Sequence, residues 1–232
     1  MQSDGGIGRP QAASSRSDSQ WTRAGDADSS SPVDEVRIER LTSAADLARV
    51  DVAPGFAAIT PSADLRTVLA GVLEAGGVVN AAMRRAILVG YTADLPFLPI
   101  PFEGGQIIRR WQGLPDAREL GGLEVARPFR GAGIAQRLLT GLVSDARVDR
   151  IILIGEALEW HWDADTGRQS IWEYRDELLR LLESAGFRRW ETDEAEIEYS
   201  PANFLFARIG PFASDSSRRA FQKALMTGGL PR

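Results

Sequence analysis

The stretch LEVARPFRGAGIAQRLL, residues 123–139, constrains the fold more than any other part of the chain. An apolar strand ends at Val125 and Pro128 breaks it. Arg130-Gly131-Ala132-Gly133 then leads straight into a helix whose Ile134, Leu138, Leu139 and Leu142 share one face. Glycines let backbone amides approach a ligand with no side chain in between. The first turn of a helix holds unpaired N–H donors and the positive end of the helix dipole. Strand, glycine loop and helix start in this order make an anion site suited to a pyrophosphate. The common nucleotide motifs fit less well. A Walker A loop needs Lys-Ser/Thr where Ile134-Ala135 stands. The dinucleotide fingerprint lacks its third glycine, although Asp149 lies near its acidic position. A tight turn that binds nothing also stays open.

The flanking pattern is that of a mixed α/β domain. VRIERL alternates as a first strand, and Ser43 is placed to cap a short helix over AADLARV. Leu65, Val68, Leu69, Val72 and Leu73 recur at helical spacing until Gly76-Gly77. VVNAAM and AILVGYTADL follow as strands. Residues 94–117 are rich in Pro and Gly and read as a long loop. In RELGGLEV, the paired Gly121-Gly122 suggests a bulge within a strand. RIILIGEAL is a buried strand, Ser170 caps a helix over IWEYRDELLRLLESAG, FRRWE and NFLFARIG are the last strands, and SDSSRRAFQKALM is a helix. Polar residues 1–34 read as a disordered tail, 35–211 as the domain, and 212–232 as a C-terminal helical extension.

Bulk properties exclude several classes. The chain has 232 residues and a net charge of −5, with no overall basic field, so no nucleic-acid partner is expected. No apolar run reaches the ~18 residues of a membrane span, and no secretory segment opens the chain. A cytoplasmic location without membrane attachment is the expectation. Cysteine is absent, which removes thiolate nucleophiles and cysteine zinc sites together. Oligomeric state is not legible.

R-G-A-G-I-A, Arg130 to Ala135, resembles the Gln/Arg-x-x-Gly-x-Gly/Ala signature of the GCN5-related N-acetyltransferases, and LEVARPFRG resembles their fourth strand and its exit. The resemblance implies their α/β fold: a central mixed, mostly antiparallel sheet, splayed after its fourth strand, with helices on both faces. It implies acetyl-CoA as co-substrate. The amides of Arg130, Gly131, Ala132, Gly133, Ile134 and Ala135 would hold its pyrophosphate. The strand end at Leu123 and Val125 would hold the rest, the Val125 amide polarising the thioester carbonyl.

A narrower resemblance covers most of the chain after about residue 36. EWHWD…IWEYR, WETDEAEI, PANFLFARIG and ELGGLEV are similar to the acetoin-utilization acetyltransferases of Gram-positive bacteria. This implies a protein lysine as acceptor, specifically the active-site lysine of an acetyl-CoA synthetase, which acetylation would switch off. A small-amine acetyltransferase and a non-catalytic module that senses acetyl-CoA are the alternatives.

Lysine near pH 7 is protonated about a thousand to one, so the chemistry needs a base. Glu119 stands where many members of the superfamily carry it. Glu124 adjoins the thioester-binding strand end and ranks first for that reason. By simple alternation the two face opposite ways, and a Gly121-Gly122 bulge would undo that count. Many members have a catalytic tyrosine where Leu182 stands here, leaving Tyr174 or Tyr199 as substitutes. His161, the one histidine, lies in EWHWDAD. It lacks the second imidazole or thiolate of a zinc site, so no metal is expected. Packing or cleft lining is the first reading. In an extended chain His161, Asp163 and Asp165 would share a side opposite Trp160 and Trp162. His161 and Asp163 would then bind a lysine-bearing partner.

Overall fold

The structure, a computed structural model, describes residues 36–57, 62–102, 105–107, 109–162 and 170–226. The expected tail and both Asp163 and Asp165 lie outside the described residues.

The strands are β1 (Val36–Leu41), β2 (Asp51–Val52), β3 (Val78–Arg84), β4 (Ile87–Leu95), β5 (Ile100–Phe102), β6 (Gly105–Ile107), β7 (Ala117–Val125), β8 (Ile152–Ala157), β9 (Arg188–Trp190) and β10 (Phe204–Ile209). The helices are α1 (Ala44–Leu47), α2 (Ser62–Glu74), α3 (Ile134–Val143), α4 (Ile171–Ser184), α5 (Ala195–Glu198) and α6 (Asp215–Leu225). Local chemistry sets many of these ends. Ser43 and Ser170 each form a capping box, with Asp46 and Glu173 returning the bond. Gly76, at φ 78°, terminates α2. The expected loop at 94–117 instead contains the β5–β6 hairpin, and its Trp111 is buried. Pro and Gly marked the turns there but hid the pairing.

The main sheet runs β1-β3-β4-β7-β8-β10-β9, with β2 added beside β4. Among the described residues only β7–β8 and β2–β4 are parallel. This is the expected mixed, mostly antiparallel sheet. Its two faces separate along β8. Leu153 packs with Leu139 and Leu142 of α3 and Leu182 of α4. Ile152 and Ile154 pack with Trp111 and with Phe221 and Leu225 of α6. Helices therefore cover both faces. Among the described residues no helix is long and apolar enough to cross a membrane.

Strand β7 is the pivot. It pairs with β8 only from Ala117↔Ile152 to Glu119↔Ile154, then continues alone to Val125 while β8 runs on to Ala157. The sheet splits there, as the splay requires. Against β4, Ala93 faces Gly122 but Asp94 faces Leu120, so Gly121 is the extra residue of a bulge. Leu120 and Leu123 consequently both pack toward the α3 side. Glu119 and Glu124 fall together on the opposite face.

The α3 side of the pivot is held by charge. Asp94 is fully buried, and it accepts from Arg118 Nε at 2.6 Å and from Arg147 Nη1 and Nη2 at 3.0 and 2.8 Å. The hydrogen bond and charge of Asp94 hold the Arg147 guanidinium above its ordinary range despite partial burial. Removing one member of such a buried set leaves the others uncompensated. Asp94→Asn is expected to lower folding stability by about 3 kcal/mol in chemical denaturation. A loss below about 0.5 kcal/mol, the range of an ordinary surface substitution, would show that the cluster is not a fastener.

Candidate active site

The glycine loop leaves its donors open. Pro128 sits within a 3-10 turn over Arg127–Phe129, and Gly131 and Gly133 then take φ values of 77° and 70°. L side chains rarely adopt that region, so glycine is required at both. A Cβ built at either would meet no atom within 4 Å, so the space above the loop is clear. The first intrahelical bond of α3 runs from Arg137 N to Gly133 O at 3.1 Å. Among the described residues the amides of Gly131 to Gln136 have no backbone acceptor. This cradle fits a pyrophosphate.

The strand end adds further donors. Ala126 N donates to Val89 O at 2.9 Å, so Ala126 and Glu124 point their backbone groups toward β4. Leu123 and Val125 therefore point theirs the other way, into the gap left by β8. Arg130 Nε donates to Val125 O at 2.9 Å and ties the loop to the strand end. The two amides remain directed into the opening.

On the face opposite α3, two carboxylates take different surroundings. Glu124 is only 4 % exposed, and it accepts from Ala57 N at 3.0 Å and from the Tyr91 hydroxyl directly across the strand pair. Burial, then the charge and hydrogen bond of Glu124, push the Tyr91 hydroxyl well above the ordinary tyrosine range. Glu119 stands at the apex of the split with its side chain 20 % exposed, ion-paired to Arg109. Arg109 also reaches Glu156 Oε2 at 3.3 Å, while Glu156 Oε1 accepts from Trp111 Nε1 at 2.8 Å. Burial alone would lower the Arg109 guanidinium. Glu119, then Glu156 and Glu196, outweigh that and raise it. Tyr91, Arg109, Glu156 and Glu196 were not legible from sequence, because only strand register and the packed 94–117 segment bring them here.

The histidine segment is not extended. Glu159–His161 form a 3-10 turn, with His161 N on Leu158 O and Trp162 N on Glu159 O. The alternation expected for this segment fails for that reason. Trp160 and His161 both face outward, whereas Trp162 turns under and stacks on Tyr174 at 5.2 Å. Burial by its neighbours lowers the His161 imidazole below its ordinary range, opposed by Glu196, so the ring is neutral near pH 7. Tyr199 lies at the surface, edge-on to Trp160. Leu182 is core. Among the described residues no group of His, Asp and Glu could hold a metal ion.

No family model matches the chain. It is 33 % identical over 190 residues to the acetoin utilization protein AcuA of Bacillus subtilis, covering 80 % of this chain and 86 % of that protein. It is 31 % identical over 192 residues to AcuA of Bacillus licheniformis, covering 81 % and 87 %. The chain belongs to the AcuA family. The crystal structure of an acetoin utilization protein from Exiguobacterium sibiricum superposes with a TM-score of 0.73 at 25 % identity, over 83 % of this chain and 95 % of that one. The split sheet and the glycine loop at its mouth give this AcuA-type chain the features that an N-acetyltransferase of the GCN5-related fold requires.

Tyr91→Phe removes a donor from the buried Glu124. It should cost about 1–3 kcal/mol near neutral pH in thermal or chemical denaturation. The raised hydroxyl gives this a pH signature. Folded wild type keeps the proton where the unfolded chain loses it, so its stability falls as pH rises through about 10. The gap to Tyr91→Phe should therefore narrow there, and a gap that is absent or constant with pH would refute the coupling.

Proposed function

We propose that this protein transfers the acetyl group of acetyl-CoA to a lysine side chain of a partner protein, the active-site lysine of acetyl-CoA synthetase, and so turns that enzyme down. One observation carries the reading: open backbone amides and a carboxylate border the same split in the sheet. The amides of Leu123 and Val125 face into the split, those of Gly131 to Ala135 lie at its mouth, and Glu119 stands at its apex. The relatives' name ties the family to acetoin, a four-carbon compound made of an acetyl and a hydroxyethyl unit.

Acetyl-CoA supplies an activated acyl group as a thioester. The residues of the chain bind, orient and move the proton. Amides of Gly131 to Ala135 would hold the pyrophosphate; the Arg130 amide, expected with them, instead donates to Arg127 O at 3.3 Å and closes the 3-10 turn, while its side chain fixes the strand end. The Leu123 and Val125 amides would align the acyl arm and stabilise negative charge on the carbonyl oxygen. Glu119 would accept the proton from the lysine ammonium. The freed nitrogen attacks the carbonyl carbon, the C–N bond forms as the C–S bond breaks, and the sulfur leaves as thiolate; the nitrogen sheds its surplus proton to solvent, and solvent protonates the thiolate. The chain has no cysteine to carry the acetyl group itself, so transfer is direct.

Adjacency to the thioester-binding strand end ranks Glu124 ahead of Glu119 as base in the sequence. The geometry supports Glu119, because Glu124 is nearly sealed and already engaged by Ala57 and Tyr91. Glu124 then serves to hold the 53–57 segment against β7.

Intact-protein mass spectrometry of acetyl-CoA synthetase from the same cell, incubated with this protein, tests the proposal. A gain of one acetyl group at the active-site lysine, only with acetyl-CoA present, is expected. No gain despite demonstrated acetyl-CoA binding would reject the acceptor. Glu119→Gln should lower turnover at least about a hundredfold, a typical share for a general base. A full rate in that variant, with the loss appearing in Glu124→Gln, would exchange the two roles.

A further inference from the structure

An exposed aromatic surface lies on the 3-10 turn after β8 and at the end of α5. Trp160 is 48 % exposed and Tyr199 77 %, large fractions for such side chains, and their rings meet edge-on at 5.8 Å. His161 extends the surface, its ring 5.9 Å from that of Trp160. Trp172 and Ile171, at the start of α4, are also exposed. Arg175 links α4 to this region, lying over Trp172 and donating to Pro201 O at 3.4 Å.

This surface is rigidly mounted. Glu159 N donates to Asn203 Oδ1 at 2.8 Å, and Ser200 Oγ donates to Glu159 Oε2 at 2.8 Å. Asn203 Nδ2 in turn donates to Glu196 O at 2.7 Å. Ser200 and Asn203 are both buried. The 3-10 turn, α5 and the segment before β10 are thus pinned together, and the aromatic rings lose little freedom on binding.

Its charge is one-signed at the centre. Glu196 and Glu198 on α5 are exposed, and neither forms an ion pair among the described residues. His161 adds no positive charge near neutral pH. Glu196 acts electrostatically on both His161 and Arg109, so the surface adjoins the Arg109–Glu119 pair at the apex.

We propose that Trp160, His161 and Tyr199, flanked by Glu196 and Glu198, form the docking face for a basic, lysine-bearing segment of a folded acceptor protein. Aromatic faces attract ammonium and guanidinium groups, and exposed Trp and Tyr are frequent energetic centres of interfaces. The two carboxylates steer the positive segment, and Glu196 lies on its way to the apex. The inference rests on a protein acceptor, as proposed above.

The test is direct binding between the full chain and purified acetyl-CoA synthetase, with Kd and association rate measured at two salt concentrations. Trp160→Ala and Tyr199→Ala should each weaken Kd at least about tenfold, with circular dichroism confirming the fold. The double variant Glu196→Gln/Glu198→Gln should lower the association rate severalfold and flatten its salt dependence. Unaltered affinity in both aromatic variants, or no association by the wild type, would overturn the docking face. Acetyl transfer is scored separately. Binding that depends on Trp160 without transfer keeps the docking face and rejects the reaction; transfer with Trp160-independent binding does the reverse.

Discussion

The structure depends on two parallel strands that start in register and then part. Between Ala117 and Glu119, β7 and β8 pair normally; beyond Glu119 they share no further pair. Unpaired strand edges normally attract another strand. Here the edge is inside the sheet, and three features keep it open. The Gly121 bulge follows directly after the apex and adds bend and twist to β7. Arg130 occupies the last outward carbonyl, that of Val125. On the other arm, Trp111 and Arg109 hold Glu156, which lies just past the apex on β8. The split is therefore a braced opening, and the backbone donors of Leu123 and Val125 stay available within it.

The same crossing is clamped by charge on both faces. Arg118 and Arg147 converge on Asp94 toward α3, while Arg109 bridges Glu119 and Glu156 on the other side. The two clusters do different work. Asp94 is fully buried and its carboxylate is taken up by two guanidinium groups, which suits a permanent fastener. Glu119 keeps part of its side chain in reach of solvent, which suits a group that must exchange a proton. The 109–111 segment that supplies Arg109 is itself anchored, since Arg110 bonds Asp193 O at 3.1 Å and Leu225 O at 3.2 Å. The helix after β10 thus helps to position a residue at the apex far from it in sequence.

What the sequence made legible was local. The glycine loop, the two serine caps, the end of α2 and the longer strands all rest on contacts within a few residues, and the structure has them where the pattern put them. The bulge was foreseeable from Gly121-Gly122, but its consequence, Glu119 and Glu124 on one face, needed the register against β4. The Tyr91–Glu124 bond and the Arg109–Glu119–Glu156 bridge join residues from separate strands and loops, and no spacing rule reports them. The EWHW segment departs from its expectation in a specific way. Extended alternation would set Trp160 and Trp162 on one side, yet two backbone bonds close the segment into a 3-10 turn, which turns Trp162 inward and leaves Trp160 outside. Asn203 shows the opposite case: plain in the sequence, it gains a function only when its side chain is seen tying that turn to α5.

On the reading proposed above, Arg109 has two opposed effects at the apex. Its guanidinium does not lose its proton in proteins, so it occupies the carboxylate that must take the proton of the lysine. The same charge repels an entering lysine ammonium and so favours the neutral amine, which is the form that attacks. Glu156 and Glu196 moderate the repulsion, since both act on Arg109. The arrangement holds one cation amid three carboxylates, Glu119, Glu156 and Glu196. A second cation is attracted by the excess negative charge but is discouraged from keeping its proton once beside the first. Attraction at longer range and deprotonation at close range are what an acceptor amine needs, and a single arginine bound at the apex provides for both.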